Sequence, residues 1–253
     1  MENLLEIRDL TVRFGGIVAL DRVSFTVPKG KVCGVIGPNG AGKTTCFNCL
    51  SGVYRPTSGD VWFQGEAITR LPRHAIARRG IGRTFQNVAV FSSMSVRRNV
   101  LVGAHTRSVG DFIASMLFLP SVSRSEAEAQ EQADRWINRF GLGSVADVTV
   151  SSLPFPMQKR VELARALASN PTLLLLDEPA AGLNHEEVER LASEIRAIRD
   201  EDGISILLVE HHMNLVMRIS DKVVVLDFGK KIADGIPDQV RTDPAVIRAY
   251  LGA

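Results

Sequence analysis

The residues best placed for chemistry are the run Gly37, Pro38, Asn39, Gly40, Ala41, Gly42, Lys43, Thr44 and Thr45. Before it lies the apolar stretch Val32 to Ile36, which reads as a strand; after it Cys46 to Leu50 reads as the opening of a helix. Strand, G-x-x-x-x-G-K-T and helix in that order predict a phosphate-binding P-loop. The glycines let backbone N–H groups close around the β- and γ-phosphates, and the helix N-terminus adds its positive dipole end. Lys43 is expected to reach the terminal phosphates and the Thr44 hydroxyl to ligate Mg2+.

The second chemical feature is Asp177-Glu178, which closes the apolar run Leu173 to Leu176. An aspartate at the carboxyl end of a buried parallel strand sits where α/β folds place ligands. Asp177 is expected to hold Mg2+, directly or through water, opposite Thr44. Glu178 is expected near the γ-phosphate, polarising the attacking water as general base.

The elements that position these groups follow from periodicity. Residues 4 to 30 alternate apolar and polar, broken by Gly15-Gly16 and Pro28-Lys29-Gly30, and Asp60 to Gly65 repeats the pattern. This predicts an antiparallel sheet beside the P-loop strand. From Ser92 to about Ala168 the pattern is helical, with helices over Ser123 to Phe140 and Met157 to Ala168. Ser125 and Glu128 are placed to form a capping box at the first of these. Strands at Leu173 to Leu176, Ile204 to Val209 and Val223 to Leu226 alternate with helices at Glu186 to Arg199 and Met213 to Ile219. That rhythm predicts a parallel sheet with helices on both faces. The fold class is therefore α/β: a P-loop core with a parallel sheet, a flanking antiparallel β-subdomain and an inserted α-helical subdomain. Residues 1–253 read as one domain, 1–91 and 162–253 forming the core and about 92–161 the helical insertion.

Composition narrows the function classes. Thirty basic against 28 acidic residues leave a net charge of +2, with no basic stripe for a nucleic-acid partner. No apolar run approaches the roughly 20 residues that span a bilayer. The opening Met1 to Arg8 lacks a basic and an apolar region, so no signal peptide is expected. Cys46 and Cys49 are spaced C-x-x-C but fall on the helix after the P-loop, where they read as small buried residues one turn apart, the alternative being a redox or metal pair; a reduced, cytosolic compartment fits.

Taken together these residues resemble the nucleotide-binding subunit of an ATP-binding-cassette transporter, over essentially the whole chain. The resemblance implies further roles. Gln86, within Arg83-Thr84-Phe85-Gln86-Asn87, takes the place of a glutamine that ends the core strand leading into the helical subdomain and serves as a Mg2+ and catalytic residue. His211, after Ile204 to Val209, takes the place of a catalytic histidine that follows the strand after the catalytic glutamate, and Phe14 that of an aromatic residue stacking on adenine. ATP and Mg2+ are the implied ligands. Leu183 and Asn184, in Ala180 to Asn184, match a loop at the dimer interface, with asparagine where aspartate is usual.

The largest departure is the signature loop, which in this family crosses a dimer to the partner's γ-phosphate and resembles L-S-G-G-Q. Here it reads Leu153, Pro154, Phe155, Pro156, Met157. Proline at 156 removes an N–H and fixes φ, so the composite site completed by this loop is expected to be weakened; the alternative is drift without consequence. Proline in a first helical turn is comfortable, so the helix should survive.

Arg83 to Asn87, Pro179 to Asn184, Glu210-His211 and Ile247 to Gly252 resemble the importer branch for branched-chain amino acids. That branch implies a second nucleotide-binding subunit, usually a different chain, two transmembrane permease subunits and an extracytoplasmic substrate-binding protein. It also implies a peripheral position on the cytoplasmic face of the membrane. Phe85, Val88, Val90 and Phe91 are placed either to line a docking groove or to belong to the helical core. Phe112 to Leu119 is open between core, flap and permease contact. Rival readings are a homodimeric export or lipid-extraction ATPase, a soluble cassette of translation or repair, and a non-hydrolysing regulatory subunit. The last would lack Lys43, Asp177 or Glu178, and all three are present.

Overall fold

The computed structural model describes residues 2–84, 88–104 and 120–251, with side chains of 120–125 and 251 left aside. The chain divides into two compact units, residues 1–76 with 172–253, and residues 77–171.

The first unit holds two sheets. Strands β1 (Asn3–Phe14), β2 (Ile17–Pro28), β4 (Ser58–Phe63) and β5 (Glu66–Ala67) form an antiparallel sheet in the order β2-β1-β4-β5. Its register pairs Phe14 with Ile17 at the hairpin tip and Leu5 with Val27 further down. The buried members Leu5, Ile7, Leu10, Val23 and Phe25 are the apolar positions of the alternating pattern.

The second sheet carries β3 (Val32–Ile36), β7 (Leu173–Asp177), β8 (Ser205–Val209), β9 (Lys222–Asp227) and β10 (Lys230–Gly235) in the order β10-β9-β3-β8-β7. β9, β3, β8 and β7 are parallel. Every residue of β3, β7 and β8 is buried, which is why these strands are near-continuous apolar runs rather than alternating ones. β10 is antiparallel to β9 and was not anticipated from sequence. Its six residues are half polar, three exposed and three half-buried, as an edge strand permits.

Around these strands lie α1 (Lys43–Leu50), α6 (His185–Asp202), α7 (Met213–Ile219), α8 (Pro237–Thr242) and α9 (Pro244–Leu251). Between α1 and α6 in the chain come α2 (Arg73–Arg78), α3 (Val96–Ala104), α4 (Pro120–Arg139) and α5 (Phe155–Ala168). Asp221 accepts from the Val32 N–H at 2.8 Å and from Arg199 at 3.0 Å, tying the start of β3 to α6.

The second unit is mainly helical. Besides the short strand β6 (Ile81–Arg83), its residues 92–104 and 120–168 contain no strand, as the pattern predicts, only one isolated bridge, Ser95 to Thr149. α3 and α5 approach so closely that a Cβ on Gly103 would lie 1.9 Å from the Arg165 carbonyl oxygen. Asn99, wholly buried, accepts from the Phe91 N–H and donates to the carbonyls of Phe91 and Ser95. It thereby satisfies the groups its burial removes from water.

One helix boundary corrects the sequence reading. α4 begins at Pro120, so residue 125 lies inside the helix and the Ser125–Glu128 capping box does not start it. Proline is a natural helix opener because its missing N–H costs nothing in a first turn. Among the described residues no helix is long and apolar enough to cross a membrane.

Candidate functional site

The fold brings three parts of the predicted site to the carboxyl ends of neighbouring parallel strands. The P-loop leaves β3 after Ile36, Asp177 ends β7 with Glu178 following, and Glu210-His211 follow β8. Asp177 pairs in register with Val209, so the acid and the histidine segment leave the sheet side by side. This edge is where open α/β sheets bind ligands.

Gly37 and Gly42 show why the loop needs glycine. Gly37 has φ +152° and a Cβ there would sit 2.1 Å from the Leu226 carbonyl oxygen; Gly42 has φ +99° and would meet the Ala19 oxygen at 2.6 Å. The loop is held against the β9–β10 turn by Gly229 N–H donating to Ala41 O at 3.1 Å. Asn39, Gly40 and Thr44 are exposed, Pro38 and Thr45 half-buried, and Ala41 buried. Lys43 is 8% exposed, and its Nζ donates to the carbonyl oxygens of Gly37 at 2.8 Å and Pro38 at 2.9 Å. The lysine therefore fills its own cradle. Burial holds its ammonium pKa below the ordinary lysine value, against the pull of the Glu178 carboxylate.

Asp177 is 2% exposed. Glu178 has φ +48°, a left-handed conformation that costs a branched or long side chain about 1 kcal/mol or more. The strain is fixed by its neighbours: the Glu178 N–H donates to Val209 O at 2.9 Å. His211 Nδ1 stands 3.9 Å from Glu178 Oε2, too long for a hydrogen bond and wide enough that a small change closes it.

Glu210 is the residue that sequence reasoning passed over as a functional group. It is wholly buried. Its Oε1 accepts from the Ala180 N–H at 2.7 Å, and its Oε2 accepts from the N–H groups of His211 at 3.1 Å and His212 at 3.3 Å. One carboxylate thus fixes both the turn after Glu178 and the backbone of His211. The available signal was an acid following a fully apolar buried strand.

Phe14 is 47% exposed and meets Tyr54 edge-on, with ring centroids 5.2 Å apart and planes at 74°. Tyr54 was not singled out from sequence. Asn184 is the N-cap of α6: its oxygen accepts from Glu187 N–H at 3.0 Å and the Glu187 carboxylate accepts from Asn184 N–H at 2.8 Å. Leu183 is half-buried in the turn before it, its N–H donating to Ala180 O. Gln86, like Phe85 and Asn87, lies outside the described residues, as does the apolar stretch 112–119.

In the second unit the signature segment opens α5, with Pro154 as N-cap and Pro156 in the first turn. Leu153 is buried; Pro154 and Phe155 are exposed. Met157 and Gln158 both turn their N–H groups onto the Pro154 carbonyl, at 2.9 and 3.1 Å. Since two of the five residues 154–158 are prolines, Phe155 is left as the one backbone donor there not turned into the helix. Phe91 is exposed, with Val88 and Val90 half-buried, and Arg165 lies over the Phe91 ring at 5.7 Å.

Comparison with known proteins decides the family. A family model described as ABC transporter matches residues 20–181. The chain belongs to the ABC transporter family.

As such a cassette it is an ATPase subunit. A second model, branched-chain amino acid ATP-binding cassette transporter, matches residues 230–253. The cassette is 46% identical over 249 residues to the high-affinity branched-chain amino acid transport ATP-binding protein BraF of Pseudomonas aeruginosa, covering 98% of each. It is 43% identical over 251 residues to LivG of Escherichia coli K12, a protein of the same description, covering 99% of this chain and 98% of that one. A solved nucleotide-free ATP-binding cassette from an ABC transporter matches with TM-score 0.86 at 29% identity, over all of both chains.

Proposed function

We propose that this cassette hydrolyses ATP to drive import of branched-chain or related amino acids. It would work on the cytoplasmic face of the membrane, beneath two permease subunits fed by an extracytoplasmic binding protein. The observation that carries the cargo class is near-complete alignment at 43–46% identity with relatives described as branched-chain amino acid transport proteins. In this reading residues 1–91 and 162–253 form the nucleotide-binding core, and about 92–161 a subdomain presenting the signature loop.

The roles follow from the geometry at the strand ends. Gly37 to Thr45 wrap the phosphates, and Lys43 leaves the Gly37 and Pro38 carbonyls for the terminal phosphates. The exposed Thr44 hydroxyl, the Asp177 carboxylate and Gln86 are hard oxygen donors of the kind Mg2+ takes. Bound there, Mg2+ supplies neutralisation of phosphate charge in the transition state. Glu178 accepts the proton of the attacking water, and His211, 3.9 Å from it, steadies the γ-phosphate. Phe14 stacks on adenine. Dimer closure and reopening transmit the cycle through the surface of Val88, Val90 and Phe91.

The partner is a different nucleotide-binding chain. The reason is the signature segment of this one, Leu153 to Met157, whose two prolines leave it poor in donors for a partner's nucleotide. A second chain with an intact loop would complete the site built on this chain's P-loop. One specific observation favours a rival: the chain is also 35% identical over 255 residues to the lipopolysaccharide export ATP-binding protein LptB of Acidithiobacillus ferridurans.

The deciding experiment is the solution mass of Glu178→Gln protein with and without Mg-ATP. A monomer that binds ATP is expected. An ATP-dependent homodimer would overturn the different-partner reading and favour the export-type one. Retained hydrolysis in Glu178→Gln, or retained nucleotide binding and turnover in Lys43→Ala, would overturn the residue roles.

A further inference from the structure

His212 has no part in the roles above, yet it stands beside His211 with ring centroids 4.7 Å apart and planes tilted by 32°. Both imidazoles are exposed. His212 is the N-cap position of α7 and its ring makes no capping bond there. One ligand atom from each of Glu210, His211 and His212 lies within 4.8 Å of the others.

The Glu210 carboxylate suits a cation. A carboxylate offers about four acceptor directions, and three are taken by the N–H groups of Ala180, His211 and His212. Two of these fall on Oε2 and one on Oε1, leaving Oε1 a further direction. Among the described residues no Lys or Arg is ion-paired with it. A buried carboxylate steadied by neutral donors is stabilised further by a nearby positive charge. A second carboxylate, that of Glu178, stands 3.9 Å from His211 Nδ1.

We propose that His211, His212 and Glu210 form a binding site for a transition-metal cation of the Zn2+ class, separate from the Mg2+ that accompanies the nucleotide, and that filling it withdraws His211 from the γ-phosphate. Two imidazoles and a carboxylate select Zn2+, Ni2+ or Cu2+ over Mg2+, which takes oxygen ligands and keeps its waters. Zn–N bonds of about 2.0–2.1 Å in a tetrahedral site draw the donor atoms to about 3.3 Å from one another. The exposed rings reach that by side-chain rotation. The remaining position is left for water or for Glu178. The cysteines do not compete: Cys46 and Cys49 are buried, and burial holds both thiols protonated, Cys49 pushed up to about 12.

The inhibitory half rests on the role proposed for His211, and the experiment separates the two. The nucleotide-free full chain is titrated with ZnCl2 by calorimetry, alongside His212→Asn, which keeps His211. One equivalent is expected to bind the parent, with affinity lowered about tenfold or more in His212→Asn and with the metal-free variant melting at or a few degrees above the parent, since asparagine can cap α7 where the His212 ring does not. Equal affinity in the two, or no binding to the parent, overturns the site. In the assembled transporter Zn2+ is expected to slow ATP hydrolysis by the parent, reversibly on chelation, and to spare His212→Asn, whose basal rate is unchanged. Equal inhibition of both overturns the blocking of His211. Full turnover in His211→Ala would instead overturn the catalytic reading, while the zinc titration stands or falls separately.

Discussion

Replacing Glu210 by glutamine tests whether one buried carboxylate holds the turn after Glu178 and the backbone of His211 in place. The change is nearly isosteric, so packing is kept and only hydrogen bonding is altered. The amide retains one acceptor oxygen and replaces the other with a donor. It is least costly to face the oxygen toward His211 and His212 and the NH2 toward Ala180, which leaves the Ala180 N–H opposed by a donor. An unsatisfied buried donor costs about 1–3 kcal/mol, and two bonds reduced from charged to neutral acceptors lose about 1 kcal/mol each. The total, about 3–5 kcal/mol, lowers the melting temperature of a chain this size by roughly 6–20 °C. The Ala180 turn follows Glu178 directly, so turnover should fall about 10- to 100-fold through misplacement alone. ATP affinity should hold, because the P-loop shares no bond with Glu210. The assays are thermal unfolding, ATPase of the assembled transporter and binding of a fluorescent ATP analogue to the isolated chain. Parental melting and parental turnover together would refute the reasoning. A loss of ATP affinity matching the loss of turnover would show that Glu210 acts through the nucleotide pocket instead.

Three other outcomes are expected. Pro156→Gly restores a donor at the head of α5 and should raise ATPase in the assembled complex; an unchanged rate would mean that the signature segment does not limit its site. Asn184→Ala removes the α6 cap and should cost about 1 kcal/mol, or roughly 2–4 °C in melting temperature. Asn184→Asp keeps the cap and should melt at or above the parent, and equal melting of all three proteins would refute the cap's contribution. The three cysteines are all buried, with Cys33 and Cys49 pushed up to about 12 by burial and Cys46 raised further in the same direction. A thiol reagent at neutral pH should therefore modify almost none in the folded chain and all three in denaturant. Rapid reaction in the folded chain would show an exposed redox pair.

The parts of the site legible in sequence are those whose chemistry is local. Gly37 to Thr45 announce a phosphate loop because strand, glycines, lysine and helix are consecutive. Leu173 to Asp177 announces a buried parallel strand because both faces must be apolar. Pro154 and Pro156 announce a donor-poor loop because proline lacks an N–H wherever it sits. Less local features did not show. β10 is a polar edge strand, whose existence depends on β9 offering an unpaired side. Pro120 begins α4 some residues before the amphipathic pattern becomes clear. Asn184 reads as a departure from an expected aspartate, but the fold uses its oxygen to cap α6.

Sequence alone determined the P-loop motif, the α/β class and the alternation of the central strands and helices, since each is carried by residue type and short-range spacing. Only the tertiary structure decided how those residues meet. Parallel pairing of β3, β8 and β7 brings segments far apart in the chain to one edge. There Lys43 turns back onto its own loop, Glu178 is held in a strained conformation by Val209, and Glu210 binds three N–H groups from two turns. Those outcomes depend on which strands become neighbours, and neighbour choice is set by burial of whole apolar faces rather than by any single stretch of sequence.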